Sequence, residues 1–221
     1  KRTNRTGLSA VEIGKLVSDL YLLKSPVELG QPLTVQSFRP ARIGVVVACR
    51  LKSSRLIRKA LLPIGSRTSV ERCLLSCKQI SGTVGVFLAT SDLAEDAELR
   101  VPSEAQGVVF YQGDPIDVIG RYLGVARAEN LDVIVRVTAD MPYVSGEIAD
   151  RLIQSHFETG ADYSGVTECS VGTAVEVISV KALERVAGHF GRADYSEYMT
   201  WYFRNNPDHF RLNLVDLPES L

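Results

Sequence analysis

The chain has 221 residues, 45% of them hydrophobic, and sets 25 lysines and arginines against 26 acids for a net charge of −1. That is room for one α/β domain of ordinary size with a full core and a short appendage. A charge this close to zero excludes a global field steering the protein onto nucleic acid or membrane, and no apolar run approaches the length of a membrane span.

In chain order, Ser9-Ala10-Val11-Glu12 forms a capping box, and Val11, Ile13, Leu16, Val17, Leu20 and Tyr21 follow helical spacing. This predicts a helix over 10–23. Pro26, Gly30, Pro32 and Pro40 then punctuate an extended stretch. Residues 1–42 read as an N-terminal helix and linker extension, and 43–221 as the main domain. Ile43 to Cys49 is a continuous apolar, β-branched run, the pattern of a strand buried on both faces of a parallel sheet. After it the pattern predicts a helix near 69–79, a strand over 84–89, a short helix over 93–99 and a strand over 108–111. A helix near 116–128, a strand over 133–137 and a helix near 145–157 follow. Past Gly160 the rhythm loosens, with a strand over 174–179, helices over 180–187 and 196–203, and a last strand over 210–215. The alternation predicts an α/β fold, a mostly parallel, Rossmann-like sheet with helices on both faces.

Four cysteines occur, Cys49, Cys73, Cys77 and Cys169, without the spacing of a zinc site. They read as small buried residues of a protein in a reducing, cytoplasmic compartment. His156, His189 and His209 are scattered and read as packing or surface residues.

Ligands of open parallel sheets bind at the carboxyl ends of the strands. There the first apolar run stops at Arg50, and Arg50, Lys52, Arg55, Arg58 and Lys59 follow with Ser53 and Ser54, five cations and two hydroxyls within ten residues. Such a turn calls for an anionic ligand, phosphate first, held by Arg50, Ser53, Arg55 and Lys59. The glycine-lysine signature of a P-loop is absent. Asp140, just past another buried strand, falls on the same sheet edge. It is either a ligand for Mg²⁺ or a turn cap ahead of Met141-Pro142. Asp114 is placed to cap the helix after it, and Arg121, one or two turns in, to reach a carboxylate or phosphate of a substrate. Glu176 is an isolated acid in an apolar strand. It either contacts a sugar or metal or faces solvent.

Several of these pieces resemble one family. Arg50, Ser53, Arg55, Leu56 and Lys59 fit A-R-x-x-S-x-R-L-P-x-K, Asp117 to Tyr122 fits D-V-x-x-R-Y, and Val133 to Pro142 fits V-I-V-R-x-T-x-D-x-P. Glu197, Thr200, Tyr202, Asn206 and Pro207 complete a terminal block. In this order they resemble the nucleotidyltransferases that make CMP-activated acidic sugars, especially the spore-coat-polysaccharide branch, with sialic-acid and Kdo cytidylyltransferases more distant. Residues 28–40 also resemble, over a short span, the antifreeze-like tail module of sialic-acid synthases.

The resemblance implies a fold of the nucleotide-diphospho-sugar transferase type. It implies transfer of CMP from CTP to a sugar acid, with release of pyrophosphate, in surface polysaccharide biosynthesis. Arg50, Lys59 and Asp140 would be catalytic, Asp140 would hold Mg²⁺, and Ser53, Arg55, Arg121, Arg136 and Glu176 would bind substrate. The implied partners are CTP, the sugar acid and a second copy of the chain in a homodimer, with neither nucleic acid nor membrane. Four departures touch ligand-facing positions. Lys52 replaces a glycine, Ile57-Arg58 a Pro-Gly, Ala174 an acid of G-x-D-x-E, and Ser196 and Tyr198 flank the glutamate of R-E-H. Long side chains in place of glycine obstruct backbone approach to phosphate. The alternative is a degenerate, non-catalytic module of a larger protein.

Overall fold

The computed structural model describes residues 40–52, 56–190 and 199–218. The helix expected over 10–23 and all but Pro40 of the likeness at 28–40 lie outside the described residues. The strands are β1 (Ile43–Ala48), the short pair β2 (Pro63–Ile64) and β3 (Arg67–Thr68), β4 (Gly85–Ser91), β5 (Val109–Gly113), β6 (Val133–Thr138), β7 (Tyr163–Val166), β8 (Glu176–Ser179) and β9 (Leu212–Val215). The helices are α1 (Ser69–Cys77), α2 (Arg100–Ala105), α3 (Val118–Glu129), α4 (Gly146–Thr159), α5 (Val180–Phe190) and α6 (Thr200–Arg204). Two 3₁₀ turns, Lys59–Leu61 and Ala94–Leu99, lie between them.

Seven strands form one sheet in the order β5-β4-β1-β6-β8-β7-β9. β1 is buried on both faces because it lies near the middle of the sheet, parallel to β4 on one side and β6 on the other. Val45 and Val47 pack with α1 and α4 on one face, against Cys73, Leu74, Ala149 and Leu152. Val46 faces the other layer, where α3, α5 and α6 supply Ile119, Tyr122, Leu183 and Phe203. The result is the three-layer α/β sandwich that the alternating pattern predicts.

The helix ends follow ordinary capping chemistry. Thr68 and Glu71 make a full capping box on α1, Ser145 accepts the Ile148 N–H to start α4, and Gly160 ends α4 in the left-handed region. Several elements differ from expectation, among them the short pair β2 and β3, which the pattern did not announce. β8 runs antiparallel to both neighbours, so the sheet is mixed beyond β6. β7 was missed because Tyr163-Ser164-Gly165-Val166 is short and half polar. α2 was missed because it contains Pro102, yet this proline sits in the first turn, where its missing N–H costs nothing.

Ser164 belongs to a polar cluster behind the sheet. His156, on the inner face of α4, is buried, with Nδ1 2.8 Å from Ser164 Oγ and Nε2 3.2 Å from Ser179 Oγ. Asn213 donates to Ser164, and Ser179 donates to the Ala161 carbonyl. A neutral ring protonated on Nε2 satisfies this network. Burial lowers the His156 pKa to about 4, against the opposing pull of Asp162. The unfolded chain therefore takes up this proton near pH 6.5 and the folded one only near 4. Stability from His156 is complete above about pH 6.5 and falls at up to ~1.4 kcal/mol per unit as pH drops toward 4. Urea titrations at several pH values should show this slope in the wild type and lose it in His156→Gln.

Candidate active site

β1 and β6 are paired in parallel with Ala48 opposite Thr138, so the segments after them start one strand spacing, about 5 Å, apart. After β1 the chain is pinned. Cys49 N–H donates to the Ala89 carbonyl at 3.1 Å, and Leu51 N–H donates to Asp96 Oδ1 at 2.6 Å. Asp96 is itself buried and accepts the Ser91 hydroxyl on its other oxygen. Arg50 and Lys52, on either side of Leu51, are exposed. Ser53 and Arg55 lie outside the described residues.

The chain then turns at Arg58, whose φ of 54° is in the left-handed region. Glycine takes that conformation without strain and other residues do not. It is the position where the family resemblance expects a glycine. The Arg58 guanidinium does not lie over the phosphate turn, because it forks onto Glu98, with Nη1 3.0 Å from Oε1. The kink opens the 3₁₀ turn at Lys59, closed by Leu61 N–H on the Arg58 carbonyl and anchored by buried Ala60. That turn delivers the Lys59 ammonium to Asp140 Oδ2 at 2.6 Å.

Asp140 stands in a turn closed by Met141 N–H on the Thr138 carbonyl. Its Oδ1 accepts the Thr138 hydroxyl at 2.6 Å. Partial burial works to raise its pKa, but Lys59 and Thr138 outweigh it and hold the carboxyl below the usual range. Ser145, not Asp140, caps the helix that follows. Among the described residues no group of three His, Cys, Asp or Glu side chains is placed to enclose a metal ion. The donor set at Asp140 is one carboxylate beside phosphate-seeking cations. That suits a hard divalent ion which keeps several waters and shares oxygens with a bound polyphosphate. Continued by two residues, the pairing of Arg136 with Glu176 would set Ala174 opposite Thr138, so this position adds no carboxylate.

The remaining expected residues divide. Asp114 does not cap α3. Its Oδ1 accepts the N–H groups of Ile116 and Asp117, and Asp117 caps the helix through Gly120 N–H. The helix starts one turn later than Asp114 could serve. Arg121 is buried, and its Nε and Nη1 have no hydrogen-bond partner. Glu176 neither stands alone nor faces solvent. It pairs with Arg136 across the β6–β8 ladder and accepts the hydroxyls of Tyr163 and Thr200, both at 2.6 Å. Burial would raise its pKa, but Arg136, Thr200 and Tyr163 prevail and keep it charged. Arg136 and Glu176 thus answer one another, two residues down the strand from Thr138.

Cys49 lies beneath the site, its thiol pushed up to about 12 by burial and by Asp96 and Asp140, so it is not a nucleophile at neutral pH. Sequence reasoning missed Asp96, Thr138, Tyr163 and Thr200 as site-shaping groups. Thr200 stood in a family motif; Asp96, in a short polar helix, had no local signal.

Residues 44–219 match the family profile of the cytidylyltransferases. The chain is 30% identical over 179 residues to the spore coat polysaccharide biosynthesis protein SpsF of Bacillus subtilis, across 79% of this chain and 75% of that protein. An uncharacterized protein of Methanocaldococcus jannaschii is 30% identical over 179 residues, across 81% of this chain and 73% of its own length. Among solved structures, a cytidylyltransferase from Leptospira borgpetersenii superposes with a TM-score of 0.71 at 23% identity, across 81% of this chain and 77% of that one. A CMP-2-keto-3-deoxy-manno-octonic acid synthetase complexed with CTP superposes with a TM-score of 0.62 at 13% identity, across 80% and 91%. At these identities the two structures speak to the fold alone.

The Arg136–Glu176 pair yields a stability test. Glu176→Ala strands a buried guanidinium and should cost about 3–5 kcal/mol in urea unfolding. The double variant Arg136→Met, Glu176→Leu should recover most of that loss.

Proposed function

This chain belongs to the cytidylyltransferase family, and we propose that it transfers CMP from CTP to the anomeric hydroxyl of a sugar acid for a surface polysaccharide. The observation that carries the proposal is the meeting of Lys59 and Asp140 at the adjoining ends of β1 and β6. The likeness to a spore coat polysaccharide protein supports the pathway class, and a structural relative complexed with CTP supports the nucleotide.

In this reading the sugar hydroxyl oxygen bonds to the α-phosphorus, the bond from that phosphorus to the bridging oxygen breaks, and pyrophosphate leaves. The hydroxyl proton passes to solvent or to a phosphate oxygen. Lys59 and Arg50, with Ser53 and Arg55, hold the triphosphate and offset the charge growing on the leaving group. Asp140 would hold Mg²⁺, which would supply further neutralisation of that charge. Arg121 contacts the nucleotide. Arg136 and Glu176 act on the substrate through position, holding β6, β8 and, through Thr200, α6 together beneath Thr138. We assign the transferase to residues 43–221, with 1–42 as an extension, and propose a homodimer working in the cytoplasm. Among the described residues no helix is long and apolar enough to cross a membrane.

The deciding assay is pyrophosphate release from CTP and Mg²⁺ with a panel of sugar acids, beside calorimetry with CTP. Release with one or more acids supports the transferase. CTP binding without release for any acid in the panel favours the non-catalytic module, for which the missing acid at Ala174 is the motive.

Two variants sharpen the site. Asp140→Ala should abolish metal-dependent CTP binding with the circular dichroism spectrum unchanged. Lys59→Met should weaken CTP by about 1.5–3 kcal/mol, the range for hydrogen bonds to charged groups. It should also strengthen binding of Mn²⁺ alone, because it frees Asp140 Oδ2. Unchanged CTP affinity in Lys59→Met would reject its role.

A further inference from the structure

The cationic turn carries an arginine at a position that suits glycine. Arg58 sits at φ 54° and ψ 32°. That left-handed conformation is disfavoured by roughly tenfold in population for a residue with a side chain. Yet this kink starts the 3₁₀ turn that brings Lys59 to Asp140. Beyond the kink the chain is well anchored. Ala60 is buried, and the Leu61 and Leu62 N–H groups donate to the Arg58 and Lys59 carbonyls. Before it, Leu56 and Ile57 are exposed, so burial does not hold the kink from that side.

The grip on Arg58 comes from across the chain. Its guanidinium forks onto Glu98, with Nη1 donating to Oε1 at 3.0 Å and Nη2 donating to Oε2. A fork of this kind fixes the direction of the side chain as well as its charge. Glu98 belongs to the 3₁₀ turn Ala94–Leu99, and two residues earlier in that turn Asp96 accepts Leu51 N–H at 2.6 Å. One short element thus holds the cationic turn at two points, Leu51 near its start and Arg58 just ahead of Lys59. Asp96 is buried and also takes the Ser91 hydroxyl, which ties the element to the end of β4. Glu95 adds attraction for the guanidinium from the same turn.

The Arg58 and Glu98 side chains are 46% and 53% exposed, and a pair that open contributes little to global stability. What it holds is a strained backbone one residue before Lys59. It also draws a long side chain away from the place where the backbone would approach a phosphate.

We propose that Glu98 is a positioning residue: by forking onto Arg58 it holds the kink that glycine would adopt unaided, and so delivers Lys59 to Asp140. Glu98 touches no substrate in this role. The inference rests on the reading of Lys59 and Asp140 as the triphosphate and metal site.

The test is a double-mutant cycle between Glu98 and Lys59, read as CTP affinity by calorimetry with Mg²⁺ on the full chain. In the wild type, Lys59→Met should weaken CTP at least about tenfold. In a Glu98→Ala background the same change should cost less than about threefold, because Lys59 is no longer delivered. Adding Arg58→Gly to Glu98→Ala should restore the full cost, since glycine takes the kink freely. The altered field of the Glu98→Ala variant acts with and without Lys59 and cancels in the cycle. Its melting temperature should stay within about 4 °C of the wild type.

A second readout needs no nucleotide. Acylation of Lys59 by an amine-reactive ester, mapped by mass spectrometry against the exposed Lys181, should be slow in the wild type. It should be several-fold faster in Glu98→Ala and slow again in the variant that also carries Arg58→Gly. An undiminished cost of Lys59→Met in the Glu98→Ala background overturns the assignment, as does a failure of Arg58→Gly to restore that cost, or Lys59 labelling that ignores Glu98. Weaker CTP binding by Arg58→Gly alone, with Lys59 labelling unchanged, makes the guanidinium itself a ligand contact and also overturns it. A wild type that binds no CTP overturns the transferase reading, and the labelling then decides by itself whether Glu98 holds Lys59 in place.

Discussion

The parallel ladder between β1 and β6 is the constraint from which the site follows. Its register sets Ala48 beside Thr138, so two loops far apart in sequence begin one strand spacing from each other. The first loop is cationic and the second opens on Asp140. Two local devices then complete the approach. Asp96 fixes the backbone at Leu51, and the left-handed kink at Arg58 starts the turn that carries Lys59 across. The kink is strained for an arginine, and strain of that kind persists where the surrounding structure enforces it.

Two ion pairs at this end of the sheet do different work. Lys59 and Asp140 are 35% and 43% exposed, and pairs of that exposure contribute about 0–1 kcal/mol at most to stability. Their value lies in where they stand. Arg136 and Glu176 are 13% and 19% exposed, and two hydroxyls complete the bonding of the glutamate. Such a pair does little for net stability over an apolar one, yet it penalises any rearrangement that breaks it. It joins β6 to the antiparallel β8, and through Thr200 to α6, at the seam where the parallel half of the sheet ends.

Legibility in the sequence tracked how local each signal was. β1 and β6 showed because both are runs of β-branched residues, and Asp140 showed because it ends one of them. Helix caps at Thr68 and Ser145 are local patterns within four residues, though only the structure identified them. The cap of α3 was misplaced from Asp117 to Asp114 because both acids precede the same apolar stretch and only backbone dihedrals separate them. β7 hid because its serine faces His156 rather than an apolar core. The surroundings of Glu176 were invisible, since Arg136, Tyr163 and Thr200 come from three separate elements.

The order of apolar runs and turn residues was enough by itself to determine a layered α/β chain with a cationic turn behind its first strand and an acid behind a later one. Periodicity and capping act within a few residues, so they can be read from the string. Tertiary structure alone decided that those two strands are neighbours, that Lys59 touches Asp140, that Arg58 bends away to Glu98, and that Nε and Nη1 of Arg121 are buried without an acceptor. Each of these depends on which strand ends the sheet brings side by side, a matter of packing between segments tens of residues apart.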